Sequence, residues 1–209
     1  MSSSPTAPTS TTASSASCRF EIVACGALAG DIRDIAARRG WPVAVRSLPA
    51  ALHNRPRKIA DQAERAVVSA LSNGRTVALA YADCGSYGAL DALCARYGIR
   101  RLGGLHCYDV LAGPARVREL FDAEPGTYVL TDFLLRGFGR LVLTSLGLDR
   151  HPELWDDYFG HYKRLVWLTQ GQPLDAEAAR VAEMFGLPLT RIDTGTGRLE
   201  RELERLVGA

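Results

Sequence analysis

Three of the five cysteines stand where the chain leaves a short apolar run. Cys25, Cys84 and Cys107 each follow a run that predicts a β-strand. At the N-terminus of a following helix, a thiolate is stabilised by unpaired amide groups and by the helix dipole, which prepares it as a metal ligand or nucleophile. Three thiolates brought together repel one another unless a cation neutralises them. The pattern therefore predicts a metal centre, either zinc or an iron–sulfur cluster with one accessible iron.

Two other interpretations of these cysteines stay open at this point. Cys25 and Cys84 also fit small buried residues at tight turns, since free cysteine is among the most buried residue types. A single nucleophilic thiol assisted by His53 or His106 is the second alternative. Cys94, in contrast, lies on the apolar stripe of a predicted helix, so we expect it to pack in the core.

The histidine at position 53 lies in a polar loop after a predicted strand at 43–45. In a parallel sheet this loop opens onto the same edge as the cysteine loops, so His53 is a candidate fourth ligand or a general acid and base. Asn54 and Arg55 are then candidate ligand contacts. A simple helix-entry turn explains the same residues equally well. His106, next to Cys107, is the second candidate for these roles.

Two glycines and an aspartate flank the cysteines. Gly26 and Gly85 each follow a cysteine and allow the backbone to approach a bound group closely. Asp83 precedes Cys84 and has two interpretations: it orients a histidine from outside the ligand shell, or it caps a helix. We therefore expect Gly26, Gly85 and Asp83, with Asn54 and Arg55, to contribute to cofactor binding.

The elements that must position these residues follow an alternating pattern. An apolar run, a segment of helical period, a glycine and another apolar run recur along the chain, with strands expected at 20–24, 42–45, 76–81, 99–102, 128–130, 164–168 and 187–192. One helix is expected to begin near Thr131, and another to be capped by Asp149 with Pro152 in its first turn. The pattern predicts an α/β fold, a mostly parallel sheet with helices on both faces, in a single domain.

Composition limits the partners and the compartment. Residues 1–18 form a Ser/Thr/Ala/Pro-rich tail that we expect to be disordered, followed by the α/β domain at 19–209. The chain has 25 basic and 23 acidic side chains and a net charge of +2, so no nucleic-acid partner is expected. No apolar run is long enough to span a membrane, and the odd number of cysteines favours a reducing, cytoplasmic location. The GxGxxG and GxxxxGK[ST] nucleotide motifs are absent.

Several blocks together resemble a bacterial and archaeal family catalogued as domain of unknown function 1638. They lie at 24–28, 48–49, 52–56, 83–85, 106–108, 124–127, 130–134, 146–154 and 158–160. The resemblance carries no established reaction. It implies a role beside corrinoid-dependent methyltransferases in one-carbon metabolism, with a corrinoid reached through a partner protein. The corrinoid motif DxHxxG is absent, so tight histidine ligation of cobalamin is not implied.

We therefore expect a cytoplasmic protein whose Cys25, Cys84 and Cys107 hold zinc or an iron–sulfur cluster in support of corrinoid-dependent methyl transfer. An enzyme would use an open metal position, whereas a carrier or chaperone would close it. The alternatives are a metal-free module that binds a small molecule or regulates, and an enzyme with one nucleophilic cysteine. The small molecule, the partner and the oligomeric state are not specified by the residues.

Overall fold

Strands and helices alternate through residues 18–208, which the computed structural model describes. The strands are β1 Phe20–Cys25, β2 Val43–Leu48, β3 Thr76–Ala80, β4 Arg100–Arg101, β5 Thr127–Thr131, β6 Arg164–Thr169 and β7 Leu189–Asp193. The α-helices are α1 Ala29–Arg39, α2 Ile59–Ser72, α3 Ala89–Tyr97, α4 Cys107–Ala112, α5 Pro114–Ala123, α6 Asp132–Arg136, α7 Trp155–Phe159, α8 Asp175–Phe185 and α9 Gly197–Val207. Short 3₁₀ turns occupy Ala50–Asn54, Pro56–Lys58 and Pro152–Leu154, and a π-helical segment occupies Gly139–Thr144.

The strands form two sheets in which every pair is parallel. The first sheet has the order β2-β1-β3-β4 and the second the order β5-β6-β7. The predicted α/β class and parallel pairing are confirmed. The expectation of one sheet is wrong: β4 is only two residues long and pairs with β3 alone, and the chain then runs through α4 and α5 before it begins the second sheet.

The two sheets belong to one domain because the last helix returns to the first sheet. α9 follows β7 of the second sheet, yet it packs against α1, α4 and β3. Its apolar residues Leu199, Leu203 and Leu206 are buried in the core around β1 and β3. Glu200 and Glu204 of the same helix pair with Arg38 and Arg39 of α1.

Two core clusters reflect the two sheets. The first lies between β1, β3 and the helices α1, α2 and α9, with fully buried side chains such as Ile22, Ile32 and Leu79. The second surrounds Trp167 on β6 and contains a cluster of aromatic rings from α7 and α8, among them Phe159 and Phe185. Large buried apolar surfaces of this kind supply most of the free energy that holds such a fold together.

Some local predictions differ from the structure. Asp149 does not cap a helix: His151 precedes the 3₁₀ turn, with Pro152 in its first position as expected, and α7 begins only at Trp155. The helices α4 and α5 were not predicted, because each is short and Gly113 with Pro114 separates them. α6 does begin after Thr131, whose hydroxyl accepts a hydrogen bond from the Leu134 amide. The predicted disordered tail falls, apart from Cys18, outside the described residues.

Within residues 18–208, none of the helices combines the length and the apolar character that crossing a membrane requires.

Candidate functional site

A cleft of about 440 Å³ lies between two halves of the molecule, the first built around the sheet β2-β1-β3-β4 and the second around the sheet β5-β6-β7. One wall comes from the segments that follow β1, β2 and β4, and the other from β5, α6 and the π-helical segment. Ligand sites of open parallel sheets lie at the carboxyl ends of the strands, and this cleft is in that position. His53, Asn54 and Cys107 line it from the first half, while Thr131 and Arg140 line it from the second.

Close backbone contacts fix the loops after β1 and β2. At Gly26 a Cβ atom would lie 2.6 Å from the Leu48 carbonyl oxygen and 2.9 Å from the Ala50 amide nitrogen, so no other residue fits without moving the backbone. Gly26 therefore holds the turn after Cys25 against the 3₁₀ turn that carries His53. Its role is the close approach of two protein segments rather than the approach of a ligand.

The loop that carries Cys84 is joined to the loop that leads to Cys107. The Asp83 amide donates to the Gly104 carbonyl at 3.0 Å, and the Cys84 amide donates to the Leu105 carbonyl at 2.8 Å. On its other side, Gly85 lies against Pro56, whose Cβ would be 3.2 Å from an added Cβ. These contacts bring the loops of all three predicted cysteine ligands and of His53 together at one edge.

The backbone at Cys84 adopts a left-handed conformation that a residue with a Cβ rarely takes. Its φ angle is 49°, and Gly85 follows with a φ angle of 81°. A cysteine in this region costs about 1 kcal/mol or more, and such strained residues cluster at functional sites. The conformation is sustained by the hydrogen bond from the Cys84 amide to Leu105.

The imidazole of His53 points toward the thiols with a fixed orientation. Its Nδ1 lies 2.8 Å from the Ala50 carbonyl oxygen, to which it donates, and its Nε2 lies 3.9 Å from the Cys25 sulfur. Burial disfavours the charged ring, but hydrogen bonds with the thiols of Cys25 and Cys84 outweigh it and raise the pKa of His53 to about 11. The ring nitrogen that faces the sulfur atoms is therefore in strong electrostatic contact with them.

Tyr81 lies beneath this group and was not predicted as a site residue. Its side chain is fully buried, its ring stacks on His53 with centroids 5.9 Å apart, and among residues 18–208 its hydroxyl finds no hydrogen-bond partner. Burial and then negative charge at Cys25 and Cys84 raise the pKa of Tyr81, so the phenol stays protonated. A buried hydroxyl that donates to nothing is costly, and here it faces a group of thiols.

Cys107 is the first residue of α4 and borders the cleft. Burial, followed by negative charge at Cys25 and Cys84, raises the pKa of the Cys107 thiol well above its ordinary value. The three sulfur atoms are therefore close enough to influence one another. The carboxylate of Asp109 anchors this turn by accepting hydrogen bonds from the amides of Leu105, at 2.7 Å, and His106.

The other residues singled out from the sequence lie outside the group formed by His53 and the thiols. The exposed His106 stacks on Tyr108, with ring centroids 6.1 Å apart. Asp83 serves its own turn, where its carboxylate accepts from the Ser86 hydroxyl and from two amides; these bonds, opposed by burial, lower the pKa of Asp83. Arg55 lines a groove beside the cleft, and Cys94 packs in the core as expected.

All five cysteines are free thiols. Within residues 18–208, no three His, Cys, Asp or Glu side chains already lie close enough together to hold a metal ion. The donor types at this edge nevertheless suit zinc or iron: the thiols of Cys25 and Cys84 lie beside an imidazole whose other nitrogen is bound to a carbonyl, and Cys107 borders the same cleft. Metal binding here would require the sulfur atoms to turn toward Nε2 of His53 and this nitrogen to lose the proton that its raised pKa gives it.

The second half contributes side chains that the pattern of cysteines does not reveal. Tyr128, Phe133 and Arg140 line the cleft from β5, α6 and the π-helical segment. Behind them the buried Asp132 accepts a hydrogen bond from the Trp167 indole at 2.7 Å and from the Gln170 amide at 2.8 Å. Asp132 thus fixes the edge of the second sheet, and the only sequence signal for it was the predicted helix start near Thr131.

Comparison with known proteins places the chain in a family. No curated protein and no solved structure matches it. A family model described as protein of unknown function (DUF1638) matches residues 47–203, a span that includes His53, Cys84 and Cys107 and begins after Cys25. Since the match extends over more than half of the 209 residues, the chain belongs to the DUF1638 family.

Proposed function

We propose that this protein holds a zinc ion or an iron–sulfur cluster on Cys25, Cys84 and Cys107, with His53 as the fourth ligand or next to it. The observation that carries the proposal is the setting of His53: Nδ1 is bound to the Ala50 carbonyl, and Nε2 faces the Cys25 sulfur at 3.9 Å. A histidine that binds a metal commonly donates its other N–H to a carbonyl, which fixes the tautomer.

The separation of the two atoms is suited to shared ligation. In a tetrahedral zinc site, with about 2.3 Å to sulfur and about 2.0 Å to nitrogen, a sulfur and a nitrogen ligand lie about 3.5 Å apart. The observed 3.9 Å between Cys25 Sγ and His53 Nε2 is near this value. Burial raises the pKa of the Cys107 thiol, so metal binding at this residue would release its proton and should strengthen as the pH rises.

The surrounding residues suggest how such a site would operate. A bound metal supplies a Lewis acid or a transfer site. The Ala50 carbonyl keeps His53 in one orientation, and the hydroxyl of Tyr81, which has no hydrogen-bond partner within residues 18–208, could donate to a sulfur ligand. Cys107 borders the cleft, so a small molecule bound there would lie next to the metal. An open position favours an enzyme, and a closed one favours a metal carrier.

A thiol–imidazole pair for nucleophilic catalysis is the second candidate, since Cys25 and His53 are also arranged as such a pair. Cys25 is 1% exposed, however, and does not line the cleft. A nucleophile must reach its substrate, so the metal proposal explains the group better.

The connection to corrinoid-dependent methyl transfer depends on the family resemblance and stays a prediction. In this proposal the protein acts in the cytoplasm, where free thiols persist, and it serves a corrinoid-pathway protein or a small molecule. Loss of growth on methylated substrates after deletion of the gene, restored by the wild-type chain but not by Cys84→Ala, is the expected result. Normal growth of the deletion strain on those substrates would contradict this role.

The metal itself is tested by elemental analysis and visible spectra of protein purified without oxygen. We expect about one equivalent of zinc, or iron with sulfide, and its loss from the Cys25→Ala, Cys84→Ala and Cys107→Ala variants. Cys94→Ala is the matched control, because this buried cysteine lies on α3 and does not line the cleft. Less than about a tenth of an equivalent after reconstitution with each metal would overturn the proposal. Rapid alkylation of Cys25 in the metal-free protein would then favour the thiol pair.

A further inference from the structure

The cleft does not end at the cysteines but continues into an open groove. Asn54, Ala51, Ser145 and Leu146 line both, so the two cavities are contiguous along the segment between β2 and α2. The groove adds a volume of about 720 Å³ to the 440 Å³ of the cleft. Small-molecule sites commonly measure 300–1,000 Å³, so the cleft alone is large enough for an organic ligand.

The charged side chains along this path are basic. Arg140 lines the cleft, and Arg55 and Lys58 line the groove, whereas neither lining includes an aspartate or a glutamate. Within the described part of the chain, none of the three forms an ion pair. Cations that line a cavity without carboxylates attract and bind anions.

The remaining walls are apolar and aromatic. Tyr108, Tyr128, Phe133 and Leu134 line the cleft together with Cys107 and Arg140. Arg140 itself stands on the π-helical segment Gly139–Thr144, a type of distortion that often occurs at functional sites. The cleft therefore offers an apolar surface for the body of a ligand, with a cation at its margin.

We propose that the cleft binds a small amphipathic anion, with an apolar or aromatic body against Tyr128 and Phe133 and an anionic head group held by Arg140, Arg55 and Lys58. The body would then lie beside Cys107. This inference deepens the proposed function: the ligand's role as the reactant rests on the proposed metal site. The binding step itself depends only on the basic and aromatic side chains.

A pair of fluorescent probes tests the requirement for charge. 1-Anilinonaphthalene-8-sulfonate and N-phenyl-1-naphthylamine share an aromatic body and differ in the sulfonate. We expect the full chain to bind the sulfonate about tenfold more tightly. Arg140→Gln, and separately the double variant Arg55→Gln with Lys58→Gln, should weaken sulfonate binding about fivefold and leave binding of the neutral probe unchanged.

The matched control is Arg57→Gln. Arg57 is exposed and lies between Arg55 and Lys58 in the chain, but it lines neither cavity. It should leave both affinities within about twofold. Equal affinity for the two probes, or the same loss from Arg57→Gln as from Arg140→Gln, would overturn the proposal.

Two further measurements define the head group and separate this inference from the metal proposal. Phenyl phosphate and benzoate should displace the sulfonate probe, and the stronger competitor identifies a phosphate or a carboxylate head; displacement by neither would count against the proposal. The Cys84→Ala variant should keep the sulfonate affinity within about twofold even where it binds no metal. Arg140→Gln should weaken binding of the sulfonate probe but retain the metal, whereas Cys84→Ala should lose the metal but retain the probe. The two variants thus test the anion site and the metal site separately.

Discussion

The hydroxyl of Tyr81 is the most informative single group in the site. It is fully buried and has no hydrogen-bond partner in the described part of the chain, while burial and then the nearby Cys25 and Cys84 raise its pKa. An unpaired buried hydroxyl costs about 1–3 kcal/mol. A thiolate bound to a metal is a better acceptor than a thiol, so occupation of the site would give this hydroxyl the partner it lacks.

Tyr81→Phe is therefore expected to have opposite effects on the metal-free and metal-loaded protein. Without metal, removal of the hydroxyl should raise the free energy of unfolding by about 1 kcal/mol. With metal, it should weaken retention several-fold in a chelator competition. Tyr97→Phe is the control, since the Tyr97 hydroxyl donates to Glu64 at 2.7 Å and its loss should destabilise both forms equally. A destabilised metal-free Tyr81→Phe protein would contradict this account.

The sequence indicated the cysteines and His53 because their chemistry is rare and their positions at strand ends are regular. Tyr81 was predicted only as part of a strand, and its role depends on the absence of a partner, which only the packed structure reveals. His106 and His53 were equally plausible from the sequence as a fourth metal ligand or as a general acid and base. His106 differs because the Asp109 carboxylate accepts from its amide and fixes a turn in which its ring lies exposed against Tyr108.

At the scale of elements, the site depends on contacts between loops. Gly26 lies against Leu48 and Ala50, and it is the Ala50 carbonyl that orients His53. The Cys84 loop is bound in turn to Leu105. A change in one loop should therefore alter the geometry of ligands carried by another.

Gly26→Ala tests this dependence. The added methyl would lie 2.6 Å from the Leu48 carbonyl oxygen, so we expect a loss of about 1–3 kcal/mol in unfolding free energy and weaker metal retention. Gly30→Ala is the control: it stands in α1 with no atom within 4 Å of the new methyl, and it should stabilise the helix by about 0.5–1 kcal/mol. Equal stability of both variants in urea denaturation would show that the loop contact is unimportant.

A pH-dependent electrostatic interaction links α1 to the residues around the second sheet. Burial, then the negative charges of Asp132 and Asp34, raise the pKa of Asp31 from 3.8 to about 6, opposed by Arg136. The folded state therefore binds the Asp31 proton more tightly than the unfolded state does, and protonation of Asp31 stabilises the fold. This stabilisation is fully present below pH 3.8 and is lost as the pH rises through 6. Asp31 is thus an unfavourable charge at neutral pH.

Asp31→Asn should consequently stabilise the protein at pH 7.5 and have little effect near pH 4. We expect a gain of about 1 kcal/mol, less than the pKa shift alone implies, because the side chain is partly exposed to solvent. Asp122→Asn, exposed in α5 and not among the charges that act on Asp31, is the control. Thermal denaturation at the two pH values measures the difference. A gain of the same size at both would contradict the assigned titration.

The alternation of strands and helices was predictable because period-2 and period-3.6 patterns are local. The division into two sheets was not, since it depends on how far β4 continues and on where the chain goes afterwards. β4 ends at Arg101, and the following loop bonds to Asp83 and Cys84 instead of extending the strand. Long-range pairing of this kind leaves no periodic signal in one sequence.

At the scale of the whole molecule, we expect α9 to join the two halves into one cooperative unit. It follows the last strand of the second sheet, and its leucines complete the core of the first. The cleft has walls from both halves, so its shape depends on this connection. A ligand that contacts both walls should therefore raise the stability of the entire domain, and disruption of α9 should lower it in both sheets.

Leu203→Ala provides the test, because Leu203 is fully buried in the first core and lies in a helix that follows the second sheet. Removal of its side chain should cost about 2–5 kcal/mol. Hydrogen exchange should report the same loss of protection in β1 and in β6, since both open only when the whole domain unfolds. Leu71→Ala, on the exposed side of α2, should cost less than about 1 kcal/mol. If Leu203→Ala lowers protection in β1 but leaves β6 unchanged, the halves unfold separately, and the cleft between them is a joint between two units rather than a pocket within one.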